Sequence, residues 1–415
     1  MIFNIKSKQV MLIVILIQIL MIAVLILNYL GLNIPLLRQV IGFIYLTFIP
    51  GFIIMKCLKL DVYSNVEKVC YSIGLSISFT FFIGLLLNTL CPLLGVGNPL
   101  NLFLIAFTLF ISVFILTLFA CHKGNYTNNN NTLSFNIKIS NSMLFLLLIP
   151  LFSILGTFLA NYYNIRITLF ILIFLISLIP VLITFWAWPK KELYPLLIYS
   201  ISVSLLLHWS LISFYLTGTD IHYEYYYSNL VNSIHMWDPT VGKNVNSLLS
   251  IVITPTIYAQ VLNLDLKMVF KVIYPLLYAI VPVCLYQIFQ RQLSKKISFL
   301  AVFYFISISP FFMEMTQLAR QEIAELFFVL LILLLVDKHL DGIKKSILLI
   351  IFSSSLVVSH YGLAYVYLFL LLSIPVIWLV NKFLARFNVN IRNLSIETRV
   401  MDIFPVNFSI LFFVM

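Results

Sequence analysis

The stretch Thr217-Gly-Thr-Asp-Ile-His-Tyr-Glu-Tyr-Tyr-Tyr227, running on to Trp237-Asp-Pro239, decides how the chain is read. It is polar, acidic and aromatic, and it interrupts a sequence that is otherwise almost all apolar. Two carboxylates, Asp220 and Glu224, sit here with His222 and a run of tyrosines just after an apolar span ends. Crowding charged groups against a bilayer is costly, so such a cluster marks a functional site by default.

Outward from that stretch, 62% of residues are hydrophobic and only 9% are charged. A soluble domain carries about a quarter charged residues, so ordinary globular classes are excluded. Apolar runs of about 20 residues, the length needed to cross a bilayer as a helix, recur along the chain. The spans read from hydropathy are residues 10–31, 36–57, 70–93, 101–121, 142–162, 166–188, 194–215, 270–290, 297–311, 321–337, 345–361 and 363–381. The expected fold is thus all-α, a polytopic transmembrane bundle of about 12 full spans, with a shortened one at the C-terminus. The first run follows Lys6 and Lys8, is too long for a signal-peptide core and lacks a small-residue cleavage site, so it reads as an uncleaved anchor. Cys57, Cys70, Cys91, Cys121 and Cys284 are scattered without paired spacing and read as small core hydrophobes.

The net charge of +11 follows membrane orientation, not a nucleic-acid partner. With the N-terminus cytoplasmic, all but six of the 25 basic residues fall on that side, the exceptions being Arg38, Arg166, Lys243, Lys267, Lys271 and Arg320. This orientation puts the acidic-aromatic stretch on the outer face of a cell-membrane protein. Residues 247–264 are apolar but short and broken by Pro255. If they crossed, the Lys-rich loops at 291–296 and 338–345 would invert, so the segment is read as outside or re-entrant.

Three regions follow: a four-span N-terminal module at 1–121, a polar Asn-rich cytoplasmic linker at 122–141, and a membrane domain at 142–415 with its outer loop at 217–269. Phe48-Ile-Pro-Gly51 is read as a breaker in the second span. Two Asn-x-Thr sequons in the linker would lie in the cytoplasm, unmodified. The apolar run from Phe404 to Met415 is about half a span, which reads as a truncated chain whose longer relatives continue.

Within the outer loop, Asp220 and Glu224 are four apart and would share a face if Asp220 opens a short helix, with His222 pointing elsewhere. One reading is a hydrated cap with a tyrosine interface belt. The other is a carboxylate base with Tyr225, Tyr226 and Trp237 as a platform for a sugar. A metal cluster of Asp220, His222 and Glu224 would need an extended backbone. A second outer cluster, Glu314, Gln317, Arg320, Glu322 and Glu325, is either an internal ion pair tying helices or an anion site in which Arg320 meets a phosphate. The third is Ser359-His360-Tyr361-Gly362, a tight outer turn in which His360 is either an interfacial polar residue or a phosphate contact. Lys271 is a further outer cation.

At these three places the chain resembles the GT-C superfamily of integral-membrane glycosyltransferases. Gly218-Thr-Asp-Ile-His-Tyr-Glu224 with Trp237-Asp-Pro239 looks like that family's acidic first outer loop, and Ser309-Pro310 through Arg320-Gln-Glu322 like its later outer loop with a basic residue. Residues 194–381 are also similar to an archaeal membrane family of unknown function grouped near these enzymes, and residues 1–121 to another prokaryotic membrane module. The resemblance implies a sugar donor on a polyprenyl or dolichyl phosphate and a glycan, lipid or protein acceptor. It implies Asp220 as base with Glu224 beside it, and substrate binding by His222, Tyr225, Tyr226, Trp237, Lys271, Arg320, His360 and Tyr361. It implies no firm cofactor and leaves room for a divalent metal. The chain departs from the family in having six spans before the one that should be first, no outer soluble domain, and a second carboxylate four residues on, not adjacent. The rival readings are a transporter or flippase of a lipid-linked or anionic solute, and a non-catalytic membrane scaffold.

Overall fold

The computed structural model describes every residue except 1, 5, 6, 33, 35, 61–63, 126–135, 139, 187, 243, 339 and 387–415. Most of the 122–141 linker, Lys243 and the apolar run at 404–415 therefore lie outside the described residues.

The described chain is helical apart from one short antiparallel pairing of β1 (Ile2–Asn4) with β2 (Asn136–Lys138). The first seven long helices are α1 (Ser7–Tyr29), α2 (Leu37–Cys57), α3 (Asn65–Leu93), α4 (Leu102–Asn125), α5 (Asn141–Tyr163), α6 (Ile167–Val181) and α7 (Tyr194–Ser210). There follows α8 (Asp220–Ile234), then the short helices α9 (Leu249–Val252) and α10 (Thr254–Leu262). Next comes a nearly continuous run through α11 (Leu266–Met268), α12 (Tyr274–Tyr278) and α13 (Ile280–Gln290), and then α14 (Lys295–Ser307), α15 (Ala319–Leu335), α16 (Gly342–Val357) and α17 (Tyr361–Arg386).

Eight helices among the described residues are long and apolar enough to cross a membrane: seven between Leu12 and Ser210, and Leu266–Gln290. The pair Lys295–Ser307 and Pro310–Gln317 qualifies only if counted as one span, because it bends by 58°. The bend falls at Ile308, whose extended backbone (ψ 141°) parts the two helices, and Pro310 opens the second, where its missing N–H would have no helical partner anyway. The hydropathy spans 321–337 and 345–361 match helices of nearly the same length set a few residues earlier, α15 with 17 residues and α16 with 16, both shorter than the eight.

Pro50 does not break α2, which runs unbroken from Leu37 to Cys57. The neighbouring Gly51 explains the choice of residues. A Cβ there would lie 1.9 Å from the Ser72 carbonyl oxygen, so only glycine lets α2 and α3 approach this closely. The Gly51 N–H donates to Ser76 Oγ on α3 at 2.8 Å, so the contact is hydrogen-bonded as well as close. At the start of α3, Ser64 and Glu67 form a reciprocal capping box.

Polar contacts sort into two sets at opposite ends of the bundle. At one end, Arg291 pairs with Glu67 at 2.5 Å and Asp337 at 3.2 Å, Lys344 reaches the Lys59 carbonyl, and Lys296 reaches that of Thr184. At the other, Arg38 donates to the Val261 and Gln260 carbonyls and to Asn28, Asn88 brackets Trp237, the Leu100 N–H donates to His235, and Asp220 meets Arg320. Three helices join one set to the other: α2 between Arg38 and Lys59, α3 between Glu67 and Asn88, and α15 between Arg320 and Asp337.

Residues 249–262 do not join the two sets. Ser250 Oγ donates to the Ser359 carbonyl near one tip of this segment, and Arg38 holds the carbonyls at the other, both contacts belonging to the same end. Every residue of α9 and α10 except the half-buried Gln260 is buried, and α10 packs on α2, α3 and α4. The first four helices share one core with the later ones. Gly74 on α3 faces Leu330 on α15, and Gly84 faces Ile253, with no room for a Cβ at either.

Candidate functional site at the α8–α15 junction

Asp220 is the first residue of α8, as its spacing from Glu224 and the following apolar positions suggest. The chain reaches it through Gly218, whose φ of +113° is in the region that favours glycine and whose missing side chain lets Gln317 approach. That contact docks the loop before α8 onto the turn before α15. Leu318 then redirects the backbone, and α15 begins with Ala319 and Arg320 facing α8.

Three side chains meet there. Arg320 Nη2 donates to Asp220 Oδ2 at 2.5 Å across a separation of 100 residues. Glu224, one turn along α8 from Asp220, is completely buried. Its Oε2 accepts the Ala319 N–H at 2.8 Å. α15 has no capping side chain of its own, so Glu224 serves as an N-terminal cap supplied by another helix, at the end where the helix dipole favours a carboxylate. Its other oxygen lies 3.4 Å from Arg320 Nε, within ion-pair reach, yet neither atom makes a hydrogen bond. Arg320 is thus gripped from beneath by a buried carboxylate and from above by a partly exposed one. The side-chain exposures are 0% for Glu224, 12% for Arg320 and 42% for Asp220.

Burial pushes the Glu224 carboxyl up to about 7, with the Asp220 charge adding to the effect while Arg320 and the Ala319 N–H oppose it. His360, in the turn between α16 and α17, is close enough to feel both Arg320 and Asp220. Burial, then the Arg320 charge, lower the imidazole below its ordinary range. Its Nδ1 accepts the Leu363 N–H at 3.1 Å, which leaves the ring proton on Nε2. His360 is therefore a neutral hydrogen-bond donor at pH 7 and not a source of positive charge. Tyr361 stacks on it at 5.4 Å and stays exposed.

Lys271 does not reach this group as a free cation. Its ammonium donates to the carbonyls of Ser213 and Tyr215, the latter at 3.2 Å, and so secures the strand of chain that leads into α8. Trp237 is likewise committed. Its backbone exchanges two hydrogen bonds with Asn88, at 2.7 and 2.8 Å, and its indole N–H donates to the Asn246 carbonyl at 2.8 Å. Tyr225 is half-buried with its ring against Phe270, while Tyr226 is exposed. His222 is exposed on α8, two residues from the buried Glu224. Among the described residues, no three or more His, Cys, Asp or Glu side chains are arranged to hold a metal.

The second acidic group divides. Glu325 accepts hydrogen bonds from Tyr278 at 2.9 Å and Gln321 at 3.0 Å. Glu322 is 1% exposed and neither of its oxygens has a partner. Glu314 is exposed, and Gln317 donates to the Met313 carbonyl. Sequence reasoning had no signal for Asn88, Asn246, Tyr278 or Gln321, each of which acts on a residue of another element or of the same turn. No family model matches the chain, and no curated protein or solved structure matches it.

Proposed function

We propose that the protein is a membrane glycosyltransferase that moves a sugar from a polyprenyl- or dolichyl-phosphate donor to an acceptor on the outer face. In this reading the seven helices to Ser210, the run 266–290, the bent pair and α15, α16 and α17 are twelve crossings of a GT-C-like bundle. The Lys-rich end, with Arg291, Lys296 and Lys344, faces the cytoplasm. Asp220 takes the proton of the acceptor hydroxyl or amide as that atom bonds to the anomeric carbon. The bond from the anomeric carbon to the phosphate oxygen breaks, and the lipid phosphate leaves as an anion that needs no proton from the enzyme. Arg320 meets the charge that develops on it, with His360 Nε2–H as a neutral donor beside it. The exposed rings of Tyr226 and Tyr361 offer apolar faces to a sugar.

The observation that carries the reading is the meeting of Asp220 and Arg320 at 2.5 Å, a base and an anion-binding group brought together from 100 residues apart. Glu224 and His360 converge on the same pair. The test is turnover of a radiolabelled polyprenyl-phosphate sugar in membranes carrying the protein. Asp220→Asn removes the base with little change of shape and is expected to cut transfer by about a hundred- to ten-thousandfold. Full transfer by that variant removes Asp220 from the chemistry.

A second reading, a carrier of a lipid-linked or anionic solute, draws on Glu322. An enclosed, unpartnered carboxyl group within a strongly apolar helix is a feature of ion-coupled transport. A carrier moves labelled lipid or solute across proteoliposomes without consuming the sugar donor, and a transferase consumes it.

A further inference from the structure

We propose that Asp220 is a latch on Arg320 that only an anionic ligand opens, so that donor binding itself frees the base. The inference rests on the reading of Arg320 as the phosphate-binding group. In the structure Asp220 and that group are not independent, because one terminal nitrogen of the guanidinium, Nη2, is already taken by the carboxylate. The two carboxylates that hold Arg320 are unequal. Glu224 is fully buried, caps α15 through the Ala319 N–H and has no room to leave. Asp220 stands at the first turn of α8, with 42% of its side chain exposed and no hydrogen bond fixing its other oxygen. An arriving anion therefore displaces Asp220 and leaves Glu224 in place.

The exchange follows from charge. The Arg320–Asp220 contact is a charge-assisted hydrogen bond, which is stronger than a neutral one. A phosphate oxygen replaces it in kind, whereas a neutral ligand leaves a mostly buried guanidinium without its outer partner. Asp220 is thus both the base and the internal competitor for the site where the donor's charge must bind. Before the donor arrives, the base is held against a cation. Once the phosphate takes Nη2, the carboxylate rotates away with its lone pairs available to an acceptor. Glu224 is then a positioning residue, holding Arg320 at the same place in both states.

The experiment is equilibrium binding of a polyprenyl phosphate to the purified full chain, compared with the uncharged polyprenol of the same length and with inorganic phosphate. Asp220→Ala and Asp220→Asn remove the competitor and are expected to bind polyprenyl phosphate about tenfold more tightly than wild type, which corresponds to ~1.4 kcal/mol. Polyprenol affinity is expected to stay the same in all three proteins. Glu314→Gln removes an exposed carboxylate from the loop before α15 and is expected to keep wild-type affinity within about twofold, which separates release of Arg320 from a general gain in positive potential. Thermal unfolding of each variant confirms that it is folded before binding is compared.

Unchanged or weaker lipid-phosphate binding by both Asp220 variants overturns the latch while leaving the donor reading intact. An equal gain in the Glu314 variant overturns it as well. Tighter binding of inorganic phosphate alone upholds the latch and removes the lipid donor. No binding of any anion by any folded variant overturns both.

Discussion

Glu224→Gln is expected to remove a specific dependence of stability on pH. The wild-type carboxyl has an ordinary value of 4.5, pushed up to about 7 in the folded protein, chiefly by burial. The folded state therefore binds a proton that the unfolded state has already released. The stability that this group contributes is fully present below about pH 4.5 and is lost as the pH rises through about 7. Each pKa unit is worth ~1.4 kcal/mol, so the loss is roughly 3 kcal/mol over that window. For a chain of this size it appears as a few degrees in the unfolding temperature, following the trend of about 2–4 °C per kcal/mol at 150–250 residues. Glutamine keeps an oxygen for the Ala319 N–H and cannot ionise. The assay is the thermal midpoint of wild type and variant in one detergent, measured from pH 4.5 to 8.5 at fixed ionic strength.

The wild-type minus variant difference should fall as pH rises, because subtracting the variant removes the titration of other groups. His360, lowered by burial, acts in the opposite sense: it costs stability as pH falls below about 6.5, and it cancels in the difference. Arg320→Ala takes away the charge that favours the ionised carboxylate, so its own profile should move to higher pH. A flat difference, or one that rises with pH, would refute the account of Glu224 as a buried carboxyl opposed by Arg320.

Gly51→Ala forces a methyl into the Ser72 carbonyl at the α2–α3 contact and should cost at least about 1–3 kcal/mol, read as a drop in thermal midpoint. Arg291→Ala removes the cation that the buried carboxylates of Asp337 and Glu67 share. It should cost roughly 2–4 kcal/mol while leaving turnover per folded molecule unchanged, because the pair sits at the far end from Asp220. Arg38→Ala strips the Val261 and Gln260 carbonyls of their donor at the end of α10. Faster amide exchange over residues 254–264 than over α2 should result, and equal exchange would show that the cap is not needed.

What could be read in advance follows from the range of the forces involved. Period and length placed the helices up to Ser210, since a bilayer-length apolar run needs no partner to be recognised. The i, i+4 relation set Asp220 and Glu224 on one face of α8, and it sent His222 elsewhere. Charge asymmetry kept residues 247–264 from being counted as a crossing, and within them the contacts at both tips of α9–α10 lie at one end. What escaped was long-range. Lys271 looked like a free outer cation because the carbonyls of Ser213 and Tyr215 carry no sequence signal. Trp237 looked like an open platform because Asn88, its clamp, is 149 residues away. Pro50 looked like a break because the α2–α3 contact, which holds the helix through it, depends on the glycine beside it and a serine on another helix. Glu224 was grouped with Asp220 from the sequence, but its capping of α15 depends on where Leu318 turns the chain.

The central proposal is that the Asp220–Arg320 site faces outward and consumes a lipid-phosphate sugar. Right-side-out and inverted vesicles carrying wild type or Asp220→Asn, each given the labelled donor and a membrane-impermeant acceptor, test this most directly. The account predicts labelled product from wild type only where the acceptor meets the outer face, and almost none from the variant in either orientation. Product formed at the cytoplasmic face, or equally by both proteins, would contradict it.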